Sequence, residues 1–209
     1  MAEQVTILGD GAMATVCSIL LTAGGHGVTM WGAFEESIER LLQDREQRRL
    51  LPGVKVPPDV RLTANDADCF DGATMVVSAI PTQYMRGVWE RLRPRLPKDV
   101  PIVSVAKGIE NGTLLRPTQV IADVLGGKSV SAPVGVPGAA GGRPVCDWPL
   151  AALSGPNIAA ELARYLPATA VAASTDAALV QRVQRTFSTQ WFRVYTNDDI
   201  VGVELAGAT

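Results

Sequence analysis

Short, continuously apolar runs alternate with segments of helical period along most of the chain. Val5-Thr6-Ile7-Leu8 reads as a buried strand and Ala12 to Ala23 as a largely apolar helix. Gly27-Val28-Thr29-Met30-Trp31 reads as a second strand, followed by a charged amphipathic helix from about Phe34 to Arg49. A proline-rich crossing from Pro52 to Pro58 leads to a short strand near Val60–Thr63. A strand at Thr74–Ile80, a helix at Thr82–Arg93 and a strand at Pro101–Val105 follow. Strands without apolar/polar alternation, separated by helices, predict a mainly parallel sheet covered on both faces.

From Gly126 to Pro149 the pattern lapses into Gly, Pro, Ala and Ser, which predicts a loop. It then resumes with a strand at Leu150–Leu153, a helix at Pro156–Tyr165 and a strand at Ala168–Ala173. Asp176 is placed to cap a helix running to about Phe187, and Gln190–Tyr195 closes as a strand. Asn197-Asp198-Asp199 would cap one more helix, opening Ile200-Val201-Gly202-Val203-Glu204.

Composition narrows the chemistry. The 209 residues are 47% hydrophobic and 19% charged, with a formal net charge of −2, so the footprint of a general nucleic-acid binder is lacking. One histidine, His26, makes a serine–histidine triad or a histidine-rich metal site unexpected, and its place in the Gly24–Gly27 turn gives it a structural reading. Cys17, Cys69 and Cys146 lie far apart, which fits a reducing compartment better than a disulfide framework. The apolar run Ala12–Ala23 is about half of what a membrane span needs, and no cleavable leader is evident, so no span and a cytoplasmic location are expected. Arg40, Arg45, Arg48 and Arg49 interleave with acids and read as a solvated helix face. The glycines between Gly135 and Gly142 could be mistaken for a phosphate cradle, but no Lys-Ser/Thr follows them.

Gly9-Asp10-Gly11-Ala12-Met13-Ala14 carries the sharpest signal, a G-x-G-x-x-A turn between a strand and a helix. Gly9 would permit the tight turn, Gly11 a close backbone approach to a pyrophosphate, and Ala14 close packing of the helix on the sheet. The helix N-terminus would offer free N–H groups to the phosphates. A Rossmann-like dinucleotide-binding domain is therefore expected. Asp10 puts a carboxylate beside the phosphates, where it opposes binding unless it points away. The second strand ends Trp31-Gly32-Ala33-Phe34, with no acid where the adenosine ribose is usually held and no arginine directly after Glu35-Glu36 for a 2′-phosphate. NAD and NADP both stay open, with a lean to NAD.

Seven blocks, in order, resemble NAD(P)-dependent glycerol-3-phosphate dehydrogenase of the bacterial type. They are Val5–Ala14, His26-Gly27-Val28, Leu51–Pro57, Val77–Thr82 with Arg86, Ser104–Glu110, Leu153–Glu161 and Phe192–Leu205. The resemblance implies interconversion of dihydroxyacetone phosphate and sn-glycerol 3-phosphate by hydride transfer, in glycerophospholipid precursor synthesis. It implies that Lys107 contacts both the phosphate substrate and the cofactor, and that Gly155 and Asn157 contact substrate. Gly9, Gly11, Ala12, Met13, Ala14, Ala33, Pro81 and Ala159 then belong to the cofactor site. Without the family, Lys107 is a loop lysine, Pro81-Thr82 a strand-to-helix turn, and Pro156 a proline at the first position of a helix.

The same resemblance divides the chain into a dinucleotide-binding domain at 1–198, with a loop insertion at 129–147, and the start of a linking helix at 199–209. In the family that helix carries a proton-transferring lysine and leads to a helical substrate domain. In this sequence the lysine would be expected beyond Thr209, so the chain alone is expected to turn over poorly or not at all. The apolar last helix would then need either that domain or a second copy, as a homodimer, to cover it. A non-catalytic redox-sensing module and a hydroxy-acid or keto-acid reductase are the alternative readings.

Overall fold

Val5, Ile7 and Leu8 are fully buried, which puts their strand at the centre of the molecule. The computed structural model describes residues 2–126 and 146–208. The strands are β1 (Gln4–Leu8), β2 (Gly27–Trp31), β3 (Arg61–Thr63), β4 (Met75–Ser78), β5 (Ile102–Ser104), β6 (Leu150–Ser154), β7 (Ala168–Ala173) and β8 (Phe192–Asn197). They form one sheet in the order β3-β2-β1-β4-β5-β6-β7-β8. The helices are α1 (Ala12–Ala23), α2 (Glu35–Asp44), α3 (Thr82–Leu92), α4 (Pro117–Gly126), α5 (Ala159–Leu162), α6 (Ala177–Phe187) and α7 (Ile200–Ala208).

Two separate cores, one on each face, confirm the expected covering of both faces and make the Rossmann-like sheet doubly wound. On one face Val5, Ile7, Met30, Val77 and Leu153 pack against α1, α2 and α6. On the other, Leu8, Trp31, Val76 and Ile102 pack against Met85, Trp89 and Leu92 of α3 and Val120, Ile121 and Val124 of α4. Neighbouring residues of one strand thus serve opposite faces, which is why these strands show no polar alternation. β1 to β6 are parallel, so Leu8, Trp31, Ser78, Ser104 and Ser154 end at one edge. β7 pairs antiparallel with β6 and parallel with β8, so the sheet is mainly rather than wholly parallel.

The two chain halves are tied at the opposite edge. Arg182 on α6 forks onto Glu3 with bonds of 2.8 and 2.7 Å and also donates to the Thr74 carbonyl at 2.8 Å. The Glu3 N–H donates to Nδ1 of His26 at 3.0 Å, which is the structural role read for that histidine.

Three expectations need correction. The helix expected to run to Arg49 stops at Asp44, because Arg45 turns into the left-handed region (φ 50°). Its guanidinium donates to the Val60 carbonyl at 2.8 Å, so Arg45 anchors the returning chain rather than lying on a solvated helix face. The helix expected at Pro156–Tyr165 is the single turn Ala159–Leu162, capped by extended Ile158. Pro156 therefore precedes the helix by three residues; Asn157 N–H instead closes a tight turn on the Gly155 carbonyl at 2.7 Å, and Tyr165 ends the segment at φ 60°. Helix α4 has no counterpart among the elements the sequence pattern predicts, although Pro117 opens it in the position proline favours and Val120, Ile121, Val124 and Leu125 form its buried stripe. The loop insertion expected at 129–147, with its glycines 135–142, lies outside the described residues except for Cys146 and Asp147.

Candidate functional site

The glycine turn has the geometry its sequence predicts. Gly9 sits at φ +123°, and a Cβ there would lie 2.8 Å from the Ala79 carbonyl oxygen. Gly11 is the N-cap of α1 and provides no side chain to use the first N–H groups of the helix. Ala14 is fully buried against the sheet. The N–H groups of Ala12, Met13 and Ala14 are therefore left facing the carboxyl edge, an arrangement suited to a pyrophosphate.

Asp10 does not oppose this. Its carboxylate turns towards α2, where Oδ2 accepts a hydrogen bond from the Ser37 hydroxyl, and its carbonyl accepts one from Gln47 Nε2 at 2.8 Å. The segment carrying Gln47 also lays Leu50 near Gly11: a Cβ on Gly11 would meet Leu50 Cδ1 at 3.6 Å. Neither Gln47 nor Leu50 was singled out from sequence. An exposed leucine after an arginine pair gives no local signal that it returns to the first loop.

Lys107 follows β5 on a loop held by α3. Thr82 Oγ1 donates to the Lys107 carbonyl at 2.9 Å, and Gln83 clasps the loop by donating to the Ile109 carbonyl at 2.7 Å and accepting from Asn111 N–H at 2.9 Å. Arg86 forks onto Glu110 at 3.0 and 2.8 Å and reaches Asp123 of α4 at 2.6 Å. Hydrogen bonds from Arg86, with lesser help from Thr113, hold the Glu110 carboxyl below the usual carboxylate range despite its burial. Thus anchored, Lys107 extends its ammonium across the edge to the Gly155 carbonyl at 2.8 Å.

Three loops converge there. Met13, Val105, Lys107, Leu153, Ser154 and Asn157 line one cavity of about 20 Å³. Two polar atoms in the β6 turn, Asn157 Oδ1 and Ser154 Oγ, are buried without a hydrogen-bond partner among the described residues, and buried polar atoms seldom stay so. Gly155 is pressed against β7: a Cβ on it would lie 2.7 Å from the Thr169 carbonyl oxygen. Pro81 caps the N-terminus of α3 just past Gly9's neighbour Ala79, and Ala159 packs on the α1 side of the core. Ala33 lies apart from this cluster, beyond the end of β2, where its carbonyl accepts from Arg91 at 3.0 Å. That separation is what a long, two-headed dinucleotide requires.

The helix that ends the described chain also reaches this edge. α7 is fixed by Glu204, whose carboxylate is 2% exposed and accepts from Thr118 N–H at 2.8 Å, Thr118 Oγ1 at 2.7 Å and the Arg116 guanidinium. A Cβ on Gly207 would lie 2.3 Å from Ser154 Oγ and 3.8 Å from Lys107 Cγ. Glu204 was read only as part of a resembling block, since its partners lie 86 and 88 residues away.

Comparison with known proteins agrees with this geometry. Residues 4–140 match the model described as the N-terminus of NAD-dependent glycerol-3-phosphate dehydrogenase. The chain is 38% identical over 205 residues to a glycerol-3-phosphate dehydrogenase (NAD(P)+) of Syntrophomonas wolfei, covering 98% of this chain and 55% of the relative. It is 36% identical over 208 residues to the enzyme of that name from Citrifermentans bemidjiense, covering 57% of it. The chain thus spans little more than half the length of the curated relatives it matches. A crystal structure of glycerol-3-phosphate dehydrogenase from Coxiella burnetii superposes with a TM-score of 0.82 at 26% identity, over 99% of this chain and 57% of that one. A glycine turn, a clamped lysine loop and an asparagine turn on one sheet edge, together with these matches, show that the chain belongs to the NAD-dependent glycerol-3-phosphate dehydrogenase family and corresponds to its N-terminal part.

Proposed function

We propose that this chain is the cofactor-binding half of an enzyme interconverting dihydroxyacetone phosphate and sn-glycerol 3-phosphate with NAD(H) or NADP(H). The observation that carries the reading is the meeting of Met13, Lys107 and Asn157 around one cavity at the carboxyl edge of the sheet. The residues fit the cofactor. Gly9 lies where any Cβ would strike Ala79, and α1 opens with uncapped N–H groups. When bound, the nicotinamide supplies or accepts the hydride.

The chain's own residues then have distinct tasks. Backbone N–H groups of Ala12, Met13 and Ala14 hold the pyrophosphate, with Gly9 and Gly11 allowing its approach. Pro81 and Ala159 flank the nicotinamide end, and Ala33 the adenosine end. Lys107 places its ammonium beside the substrate's reacting oxygen and stabilises the negative charge that grows there. Gly155 and Asn157 orient the substrate, Asn157 using the amide oxygen that has no partner among the described residues. Residues 1–198 form the dinucleotide-binding domain and 199–209 begin a linking helix. The enzyme would serve glycerophospholipid precursor supply in the cytoplasm, a place its three unpaired cysteines suit.

Titration of the 209-residue chain with NADH, read by energy transfer from tryptophan, tests the first half of this reading. Saturable transfer reversed by excess NAD is expected, and its absence in a folded sample overturns the reading. Lys107→Ala should weaken NADH binding and abolish the further change that dihydroxyacetone phosphate produces.

A further inference from the structure

Dinucleotide-binding folds commonly hold the adenosine ribose with an acid at the end of the second strand. In this chain β2 ends in Trp31 and is followed by Gly32-Ala33-Phe34, none of them acidic. The structure fills that place from another loop. A Cβ on Gly32 would lie 2.7 Å from Ile38 Cδ1 and 3.1 Å from Cγ of Asp10, so the place a side chain at the strand's end would take is shared by the apolar Ile38 and the Asp10 carboxylate, the latter being its acid. It is held there by two contacts from the α2 side. The Ser37 hydroxyl donates to Oδ2, and Gln47 Nε2 donates to the Asp10 carbonyl at 2.8 Å. Ser37 engages one carboxylate oxygen, and Oδ1 has no hydrogen-bond partner among the described residues, leaving it to accept from a ligand.

A second observation concerns the positive charge that a 2′-phosphate would need. Arg91 is brought by the fold to the end of β2, stacked over Trp31 with its guanidinium carbon 5.1 Å from the ring centroid. It is already committed: it forks onto Asp66 at 2.6 and 2.7 Å and donates to the Ala33 carbonyl at 3.0 Å. Glu35 and Glu36, in the first turn of α2, add negative charge on the same side. The neutral ribose hydroxyls of NAD(H) would find an acceptor here, whereas the dianionic 2′-phosphate of NADP(H) would meet carboxylates and an arginine that has a carboxylate of its own.

We propose that Asp10, inside the glycine turn, takes over the ribose-holding role of the second-strand acid and sets selectivity for NAD(H) over NADP(H). The proposal rests on the dinucleotide-binding reading above. It assigns Asp10 a function that the glycine turn alone does not require, since the turn's phosphate contacts come from backbone N–H groups.

The test is to titrate the 209-residue chain separately with NADH and NADPH, which carry the same nicotinamide chromophore, and read energy transfer from tryptophan. NADH should bind at least about tenfold more tightly than NADPH, as expected where one ligand is rejected by like charge. Asp10→Asn and Asp10→Ala should bring the two affinities within about threefold, by weakening NADH, which loses its ribose acceptor, and by tightening NADPH. Raising the salt concentration should narrow the unmodified chain's preference, because the repulsion is screened. Equal affinities in the unmodified chain overturn the proposal whether or not the variants fold. A preference that survives both substitutions in folded variants also overturns it, and in either case dinucleotide binding itself stands. Binding of neither nucleotide by the folded chain overturns both the proposal and the reading beneath it.

Discussion

Replacing Glu204 by alanine removes a charged contact that ties α7 to Thr118 of α4 and to Arg116 just before it. Three donors lose their acceptor: Thr118 N–H, Thr118 Oγ1 and the Arg116 guanidinium, whose side chain is only 14% exposed. Breaking a buried pair from one side costs about 3–5 kcal/mol, because the surviving charge stays desolvated. For a chain of this size each kcal/mol shifts Tm by about 2–4 °C, so a fall of about 6–20 °C is expected. Differential scanning fluorimetry measures it, and hydrogen exchange shows where it arises. The Glu204→Ala variant should exchange α7 amides and the first turn of α4 faster than β1 and β4. Removing both charges, as Arg116→Met with Glu204→Leu, should recover most of the loss, since no orphaned ion remains. A fall under about 1 kcal/mol, or a double variant no better than the single one, would refute the reasoning.

The glycine turn offers a paired test. Gly9→Ala should cost about 1–3 kcal/mol in strain and clash at φ +123° and lower both Tm and NADH affinity. Gly11→Ala, with φ −85° and its nearest neighbour 3.6 Å away, should keep Tm within about 2 °C yet weaken NADH binding; an equal loss of stability in both would contradict the assigned roles. Hydrogen bonds from Arg182 hold the Glu3 carboxyl at about 2, below its ordinary 4.5. Because the folded value is the lower one, the stabilisation is complete above pH 4.5 and is lost as pH falls from there towards 2. Urea unfolding should show the unmodified chain losing about 1–3 kcal/mol over that window relative to Arg182→Met, and parallel pH curves would refute it. Burial pushes the thiols of Cys17 and Cys69 up to about 12, so neither should react with a chromogenic thiol reagent at pH 8 until the chain unfolds; labelling of both at the rate of a free thiol would show the packing to be wrong.

What could be read from sequence, and what could not, divides by the distance over which each feature is determined. α1 and β2 carry the expected bounds, and α6 is capped by Asp176, whose Oδ1 accepts from Ala178 and Leu179 N–H at 2.8 and 3.1 Å. Each of these rests on patterns within a dozen residues. The glycine turn was legible for the same reason, as was the place of Lys107 after β5. The orientation of Asp10 was not, because it depends on Ser37 and Gln47, which reach it only after a whole strand has been laid down. The short α5 was overestimated because Pro156 reads as a helix opener, whereas Asn157 closes a turn around it. α4 is hard to read from sequence although its apolar spacing is regular, since the polar stretch before Pro117 looks like a loop that simply continues. Glu204 reveals its task only when a helix more than 80 residues earlier is folded beneath it.

The fork between Arg182 and Glu3 has a consequence in time as well as in energy. Ribosomes add roughly 5–20 residues per second, so about 10–35 seconds separate the synthesis of Glu3 from that of its partner. During that interval β1, apolar and destined for the centre of the sheet, can pair with β2 and then β4, but α6, which covers the same face as α1, does not yet exist. Until α6 is made, the nascent chain must therefore carry a sheet whose α1 face is only partly covered. An assay of folding yield against translation rate, rather than of equilibrium stability, is where that exposure would register.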